Sequence, residues 1–336
     1  MNANTYEQEK QMHELISALR SSTRLDHKAK LKNLWHLLPQ TPQINGNDIF
    51  IGDDAASIKT QDGYLLLAAE GVYPPLLKSN PYLAGRTSVL TNVNDIYAMG
   101  GRPLAIVDVI FASDSEEAEK VLHGIRDNAL RYKVPVVGGH FTLESGCSSL
   151  SVSILGKAKR LISSFDAKTD DDLVFVSNLN GRFYSGFNFW DSSSNLSDKE
   201  ALTQLELLPQ IAEDELADAG KDISMAGLIG STLMLLECSQ KGAEIYIDKI
   251  PMPSNVSLKD WLITFPSFGF VLSLRPHNTA KVKEIFRKLD LVCEQIGKVT
   301  SDCQVLFVRD SGEKNLFWDF KTEPLIGIEK INSNIS

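Results

Sequence analysis

Carboxylates at two points of the 336-residue chain are the residues best suited to hold a metal ion. Asp53 and Asp54 stand side by side after Gly52, and Glu70 follows the apolar run of residues 64–69. Magnesium prefers such hard oxygen ligands and completes its shell with water and substrate phosphates. Each feature also has a simpler interpretation, because a Gly-Asp-Asp run fits an ordinary capped turn and a strand-end glutamate is commonly only solvated.

A further group of polar side chains lies in the otherwise apolar, helix-like residues 80–103. Asn92 and Asp95 are three residues apart, so a helix places them on one face. A buried carboxylate is costly unless it is paired or bound to a metal. We therefore expect Asp95 to meet a ligand; a helix with one polar face is the alternative.

Glycines and a second acidic motif complete the candidate groups. Gly138 and Gly139 directly follow a strand-like run and precede His140. Glycines let a backbone approach a ligand closely, although such a pair can be only a turn and the histidine can be structural. Asp222 opens an Asp-Ile-Ser run before a helix-like segment, and Asp222 or Ser224 could simply cap that helix.

Apolar patterns predict the elements that must position these groups. In the first half we predict strands at residues 64–69, 104–111, 134–137 and 150–155, and helices at residues 82–99 and 115–133. In the second half we predict helices at residues 199–219, 225–241 and 278–289, and strands near residues 173, 243–247, 268–274, 293 and 305. The aromatic and Gly-, Ser- and Asn-rich residues 178–195 are predicted to form a flexible loop.

The chain divides into a leader and two domains. Two amphipathic helices are expected in the first forty residues, the second ended by Pro39. The polar residues 163–172 have little to bury and mark a domain boundary. The expected organisation is therefore a helical leader at residues 1–44, an N-terminal domain at residues 45–160 and a C-terminal domain at residues 170–325.

Composition excludes several classes of protein. A net charge of -9 argues against a nucleic-acid partner held through its phosphates. No apolar run approaches the roughly 20 residues that a membrane-spanning helix needs, and the N-terminus lacks the features of a secretory signal. Four widely spaced cysteines without a Cys-x-x-Cys pair fit reduced thiols. We therefore expect a cytoplasmic protein without a membrane partner.

Taken in order, these segments closely resemble the superfamily of selenophosphate synthetase, thiamine-monophosphate kinase and aminoimidazole-ribonucleotide (AIR) synthetase. The resemblance covers about residues 45–300. Residues 80–103 and 138–141 are most similar to selenophosphate synthetase, whereas residues 52–56 and 222–224 look more like thiamine-monophosphate kinase. The resemblance implies an α+β, two-domain, PurM-like fold. Its N-terminal domain of sheet and helices would bind ATP and dimerise through its sheet, and its C-terminal domain would be an α/β sandwich.

The resemblance also implies roles for individual residues. It assigns metal ligands to Asp53, Asp54, Glu70 and Asp95, nucleotide contacts to Asn92, Gly100, Gly101, Gly138, Gly139 and His140, and catalytic roles to Asp95 and Asp222. The implied cofactors are ATP and Mg²⁺, and the implied partners are a small-molecule substrate and a second copy of the chain. Glu70 stands where relatives carry an aspartate.

The expected activity is ATP- and magnesium-dependent phosphoryl transfer that activates a carbonyl, amide or phosphate oxygen of an unidentified small metabolite. Departures from the family patterns weigh against its two named kinases. No cysteine precedes residue 53, as selenide activation would need, and residues 224–227 and 266–270 lack two acids of thiamine-monophosphate kinase. Those activities remain one alternative, and a non-catalytic nucleotide-binding scaffold is another. The aromatic loop around Trp190 is expected to close over a weakly charged substrate.

Overall fold

The computed structural model describes residues 3–35, 37 and 42–328. The predicted end of the second leader helix, at Pro39, lies outside the described residues. Within them, no helix combines the length and the apolar character that crossing a membrane requires.

Helices and strands follow one another in both halves of the chain. The helices are α1 (Ala3–Arg20), α2 (Thr23–Lys30), α3 (Lys32–Trp35), α4 (Pro74–Ser79), α5 (Pro81–Ala98), α6 (Ser115–Arg131), α7 (Asp198–Leu205), α8 (Leu207–Glu213), α9 (Gly227–Cys238), α10 (Leu258–Leu262) and α11 (Pro276–Arg287). The strands are β1 (Gln43–Ile44), β2 (Asn47–Asp48), β3 (Ala56–Thr60), β4 (Gly63–Gly71), β5 (Arg102–Phe111), β6 (Val136–Thr142), β7 (Ser149–Ala158), β8 (Asp172–Ser177), β9 (Arg182–Phe183), β10 (Phe189–Asp191), β11 (Ala219–Asp222), β12 (Gly242–Tyr246), β13 (Phe265–Pro266), β14 (Gly269–Leu274), β15 (Val292–Thr300), β16 (Gln304–Val308) and β17 (Lys314–Asp319).

The N-terminal half is built on a five-stranded sheet in the order β3-β4-β7-β5-β6. Neighbouring strands are antiparallel except β5 and β6, which are parallel. Side chains alternate between the two faces, as the period of a strand requires. Ile106 and Ile154 are buried on the face that α5 covers, whereas Val107 and Leu155 are exposed on the opposite face.

Helix α5 packs closely against α6, so that the backbones of the two helices touch where they cross. A Cβ atom on Gly85 would lie 2.1 Å from the Val121 carbonyl oxygen, and one on Gly124 would lie 2.1 Å from the Tyr82 carbonyl oxygen. The two glycines therefore allow a backbone contact that no larger residue permits. Asn80 caps the start of α5 with its side-chain oxygen, 3.0 Å from the Leu83 amide nitrogen.

A seven-stranded sheet forms the C-terminal half, in the order β11-β14-β8-β15-β12-β16-β17. Its strand β8 is buried on both faces: Leu173 and Phe175 join one hydrophobic core with α9, and Val174 and Val176 join a second core that continues into the N-terminal half. The two halves therefore share buried apolar surface. The predicted α+β, two-domain architecture is confirmed.

The leader helices pack against the C-terminal half. Met12 and Leu19 of α1 and Leu25 of α2 belong to the core that contains α9. Arg20 ties the end of α1 to this half, because its Nη1 donates a hydrogen bond of 2.8 Å to the Phe317 carbonyl oxygen. The leader therefore packs on the C-terminal half, although the N-terminal half follows it directly in the sequence.

Two predictions about the elements were wrong in detail. The helix predicted at residues 199–219 is two helices, α7 and α8, followed by strand β11. Pro209 has no amide hydrogen to donate to the Leu205 carbonyl, so one continuous helix would lose a bond there. Gly138 and Gly139 do not follow a strand; they lie inside β6, at the edge of the five-stranded sheet.

The residues predicted as a flexible aromatic loop form structure of their own. Strand β10 pairs with β9 on one side and with β13 on the other, in a three-stranded sheet. Trp190 is buried, and its ring makes edge-to-face contacts with Phe183 and Trp261. Its Nε1 donates a 3.0 Å hydrogen bond to the Asn178 carbonyl oxygen. The prediction that Trp190 belongs to a flexible, irregular loop was wrong, because Trp190 lies in a paired strand and its ring is buried against other aromatic rings.

Two serines at the start of the polar segment between the domains are buried rather than exposed. Ser163 and Ser164 are nearly inaccessible, and each has a partner. The Ser163 hydroxyl donates to Asp53, and the Ser164 hydroxyl donates to the Gly220 carbonyl oxygen at 3.2 Å. These two polar side chains can be buried because each hydroxyl group has a hydrogen-bond partner.

Candidate active site

Three acidic side chains from three distant segments meet between the two halves. Carboxylate oxygens of Asp54, Asp95 and Asp222 all lie within 4.8 Å of one another. Asp54 precedes β3, Asp95 is in the last turns of α5, and Asp222 ends β11. All three side chains are buried. Helix α5, which carries Asp95, packs directly on β11, which ends at Asp222.

Asp54 is the best-anchored member of this three-carboxylate cluster. Its Oδ1 forms a 2.5 Å ion pair with Nζ of Lys221, and its Oδ2 accepts a 3.0 Å hydrogen bond from the Asp222 amide. Lys221 also donates to the Gly52 carbonyl oxygen at 3.3 Å. Burial by itself lowers the pKa of Lys221, but the negative charges of Asp54 and Asp53 outweigh this loss of hydration and raise the pKa above its ordinary value.

Asp95 and Asp222 are in the least favourable electrostatic environment of the three, because both are buried next to other negative charges. Burial raises the pKa of each carboxyl well above its ordinary value, and neighbouring negative charges raise it further. For Asp95 these charges are Asp222, Glu70 and Asp54. Four carboxylates thus converge on a site that contains one buried cation, Lys221. A divalent cation bound between these carboxylates would offset their mutual repulsion.

The cluster also contains oxygen atoms without partners. Oδ2 of Asp95 is buried and accepts no hydrogen bond. One turn earlier on the same helix, Asn92 donates to the Ser88 carbonyl oxygen, and its buried Oδ1 has no partner either. Unpaired buried oxygens are unfavourable unless a ligand satisfies them. These hard oxygen donors fit Mg²⁺, for which Asp54, Asp95 and Asp222 would be the ligands.

Glu70 and Asp53 take different positions relative to this cluster. Glu70 lies at the end of β4 and is exposed, close enough for its charge to raise the pKa values of Asp95 and Asp222. Asp53 is not part of the cluster, because its carboxylate accepts hydrogen bonds from the Ser163 hydroxyl at 2.6 Å and the Ser164 amide at 2.8 Å. Burial raises the pKa of Asp53 to about 6.

The glycines that were assigned to nucleotide binding have structural roles or lie elsewhere. Gly100 has a φ of 75°, and a Cβ atom there would stand 2.5 Å from Cβ of Ala212. A Cβ atom on Gly101 would stand 2.4 Å from Leu66. Both glycines therefore allow the chain to turn tightly from α5 into β5.

Gly138, Gly139 and His140 belong to the edge strand β6, three strands away from Glu70 on β4. At about 4.8 Å per strand this is a separation of roughly 14 Å. His140 is exposed, and its ring lies beside Phe111, 6.0 Å between centroids. Within one chain the structure does not bring these three residues to the carboxylate cluster.

Sequence reasoning missed two polar residues at the site. Lys221 stands directly before Asp222, so a lysine next to the Asp-Ile-Ser run was the available signal. Asn94 is completely enclosed between the halves, where its Nδ2 donates to the Ser267 carbonyl oxygen at 3.1 Å. The alternative that Asp222 or Ser224 caps the next helix was wrong, since the residue before α9 is Ala226 and no side chain caps it.

Family models place the chain among known proteins. The model for the N-terminal domain of AIR synthase related protein matches residues 52–158, and the model for the C-terminal domain matches residues 171–308. The uncharacterized protein sll0787 of Synechocystis sp. is 41% identical over 94% of this chain and 98% of its own length. A selenide, water dikinase of Carboxydothermus hydrogenoformans is 26% identical over 66% of this chain and 67% of its own length.

Solved structures with the same fold are more distant in sequence. T. maritima PurL complexed with ATP superposes with a TM-score of 0.71 and 20% identity, over 90% of this chain and 49% of PurL, so the chain spans about half of that protein. AaThiL complexed with AMPPCP and TMP superposes with a TM-score of 0.60 and 21% identity, over 79% of this chain and 89% of AaThiL. From its two matched domains, the chain belongs to the AIR synthase related family.

Proposed function

We propose that this protein is a magnesium-dependent enzyme that transfers a phosphoryl group from ATP to an oxygen atom of a small metabolite. The observation that carries the proposal is the buried three-carboxylate cluster with its unpaired Asp95 oxygen. Relatives give it support, because their names or bound ligands include a selenide, water dikinase, ATP and the ATP analogue AMPPCP.

The residues of the cluster suit this chemistry. Phosphoryl transfer asks a protein mainly to position its reactants and to neutralise the charge that develops on phosphate oxygens. Mg²⁺, when bound, supplies that neutralisation. Asp54, Asp95 and Asp222 would hold it, and the ion pair with Lys221 fixes the orientation of Asp54. No nucleophilic side chain is required.

The test of this proposal is ADP release from ATP in the presence of Mg²⁺ and a metabolite extract from cells. We expect release that depends on the extract and on Mg²⁺, and that is lost in Asp95→Asn. Tight ATP binding without turnover in any extract would favour the non-catalytic scaffold instead. Phosphorylation of thiamine monophosphate at about 1 s⁻¹ or faster would support the alternative that the protein is a thiamine-monophosphate kinase.

We also propose that the protein is a homodimer that pairs through the five-stranded sheet. The open face of this sheet carries apolar side chains on three neighbouring strands, each exposed by 37% or more: Leu67, Leu155, Val107 and Val109. A continuous apolar surface of this kind is uncommon on a protein that stays monomeric. A second copy of the same sheet would cover it symmetrically.

A further inference from the structure

A cavity lies between helix α7, the turn after α11 and the connection that follows β8. Its volume of about 680 Å³ is within the range of cavities that hold small-molecule ligands. Nδ2 of Asn180 donates a 3.0 Å hydrogen bond to Oδ2 of Asp290 and so joins two of these walls. None of the residues that line the cavity belongs to the three-carboxylate cluster.

Gln204, in the last turn of α7, contributes a buried side-chain amide to this cavity. Only 7% of the residue is exposed. Among the residues that the structure describes, none forms a hydrogen bond with its Oε1 or Nε2, and neither atom is fully enclosed. A buried amide without partners is unfavourable, so the cavity favours an occupant that pairs with both atoms.

Asn178 adds a second amide, whose orientation its neighbours fix. The residue is 3% exposed, and its Oδ1 accepts a 2.9 Å hydrogen bond from the Asn180 amide. Because a backbone amide can only donate, the oxygen must lie on that side, and Nδ2 is left as a donor without a partner in the described chain. Trp190 holds the backbone of Asn178 through its 3.0 Å hydrogen bond to the carbonyl oxygen.

The other lining residues favour an uncharged ligand with an apolar ring. The charged residues Lys199, Glu200 and Asp290 are all exposed, so the buried part of the cavity is neutral. Leu196 and Leu289 are the apolar residues of the lining, and both are partly buried. They offer surfaces against which the faces of a flat ring can pack.

The two amides define which hydrogen-bonding groups such a ligand must carry. Gln204 offers one donor, Nε2, and one acceptor, Oε1, and Asn178 offers a second donor, Nδ2. A ligand that pairs with all three presents two acceptors and one donor. A cyclic imide has this set on one edge, because its N–H lies between two carbonyl groups.

We propose that this cavity binds a neutral cyclic imide through Gln204 and Asn178. The proposed phosphoryl transfer is not needed for this binding, since the lining residues and the carboxylate cluster do not overlap. The uracil base of a nucleoside and a small cyclic ureide such as hydantoin share the imide edge, and the test separates these two sources.

The test is a ligand-observed NMR titration of the full chain with uridine, 3-methyluridine and hydantoin. We expect uridine to bind with a dissociation constant below about 1 mM. In 3-methyluridine a methyl group replaces the imide hydrogen, so we expect binding about tenfold weaker or more. Gln204→Leu should weaken uridine binding by a similar factor. Gln210→Leu changes an exposed glutamine on α8 outside the cavity and should bind uridine as the wild type does.

The outcomes distinguish the two sources and can overturn the proposal. Binding of uridine alone would identify a nucleoside as the occupant, and binding of hydantoin in its place would identify a free cyclic ureide. Wild-type protein that binds neither probe at about 10 mM, or that binds uridine and 3-methyluridine equally, would show the proposal to be wrong. Equal affinity of Gln204→Leu and the wild type would do the same. The comparison of the two nucleosides uses the wild-type chain, so it decides the matter even if Gln204→Leu fails to fold.

Discussion

Asp95 is a buried carboxylate, and replacing it by asparagine should affect metal binding and stability in opposite directions. In Asp95→Asn we expect Mg²⁺ affinity to fall at least about tenfold, because a ligand oxygen loses its charge. Without metal, we expect the thermal midpoint to stay the same or rise, since repulsion among Asp95, Asp222 and Glu70 is relieved. Thermal unfolding with Mg²⁺ and with EDTA measures both effects.

Asp108→Asn is the matched control, because Asp108 is a buried carboxylate on β5 that is not part of the cluster. It should keep the full stabilisation by Mg²⁺. An equal Mg²⁺-induced shift in Asp95→Asn and in the wild type would contradict the assignment of Asp95 as a ligand.

Lys221 and Asp54 should depend on each other for stability. Lys221→Met leaves Asp54 buried with an uncompensated charge, so we expect a loss of about 3–5 kcal/mol in the free energy of unfolding. Adding Asp54→Asn to this variant should recover a large part of the loss. Urea denaturation measures the free energy of unfolding of the wild type and of both variants. The exposed pair of Lys30 with Asp26 is the control, and Lys30→Met should cost less than about 1 kcal/mol. Equal costs at Lys221 and Lys30 would rule out a coupled buried pair.

At the residue scale, the sequence identified the acidic residues but not the direction in which each side chain points. Asp95 was predicted at the site because a buried carboxylate in an apolar helix is costly without a partner, whereas Asp54 and Asp222 were predicted there from the family resemblance. Asp53 has the same local pattern as Asp54, yet its side chain turns to Ser163. Adjacent residues in an irregular turn have no period that fixes where each points. Lys221 was missed for a related reason, because its partner is 167 residues away in the sequence.

At the scale of elements, periodicity predicted long helices well and short strands poorly. Helix α5 was predicted at residues 82–99 and is found at Pro81–Ala98. Strands β9 and β10 have only two and three residues, too few for an alternation to be recognised. Their stability comes from aromatic contacts with distant residues such as Trp261, which no local pattern reveals.

The two interpretations of Trp190, as part of a flexible loop or of a buried aromatic cluster, predict different effects of the Trp190→Ala substitution. As part of a lid, Trp190→Ala would impair turnover and leave folding intact. Because Trp190 is buried against Phe183 and Trp261, we expect instead a loss of about 3–5 kcal/mol in the free energy of unfolding, measured with urea. Phe183→Ala, at the exposed end of the same cluster, should cost less than half as much. A Trp190→Ala variant as stable as the wild type would restore the lid hypothesis.

At the scale of the whole molecule, the site exists only because the two halves of the chain pack together. Asp54 and Asp95 come from the first half, and Lys221 and Asp222 come from the second. A shared core of apolar residues fixes the two halves relative to each other. Sequence motifs could predict which residues carry the chemistry. They could not predict that Ser163 and Ser164 at the junction would be buried, because their partners Asp53 and Gly220 are remote in sequence.

The open face of the five-stranded sheet gives the last prediction. Leu155 lies on the middle strand β7, paired with Leu67 on one side and next to β5 on the other. We expect the wild-type protein to have twice the 37.1 kDa mass of one chain in light scattering at micromolar concentration. Leu155→Lys should yield a monomer, since a charge buried at the centre of an apolar interface is unpaired. Leu122→Lys alters an equally exposed leucine on α6 and should stay dimeric. A wild-type monomer, or a dimeric Leu155→Lys, would mean that this face is not where two copies meet.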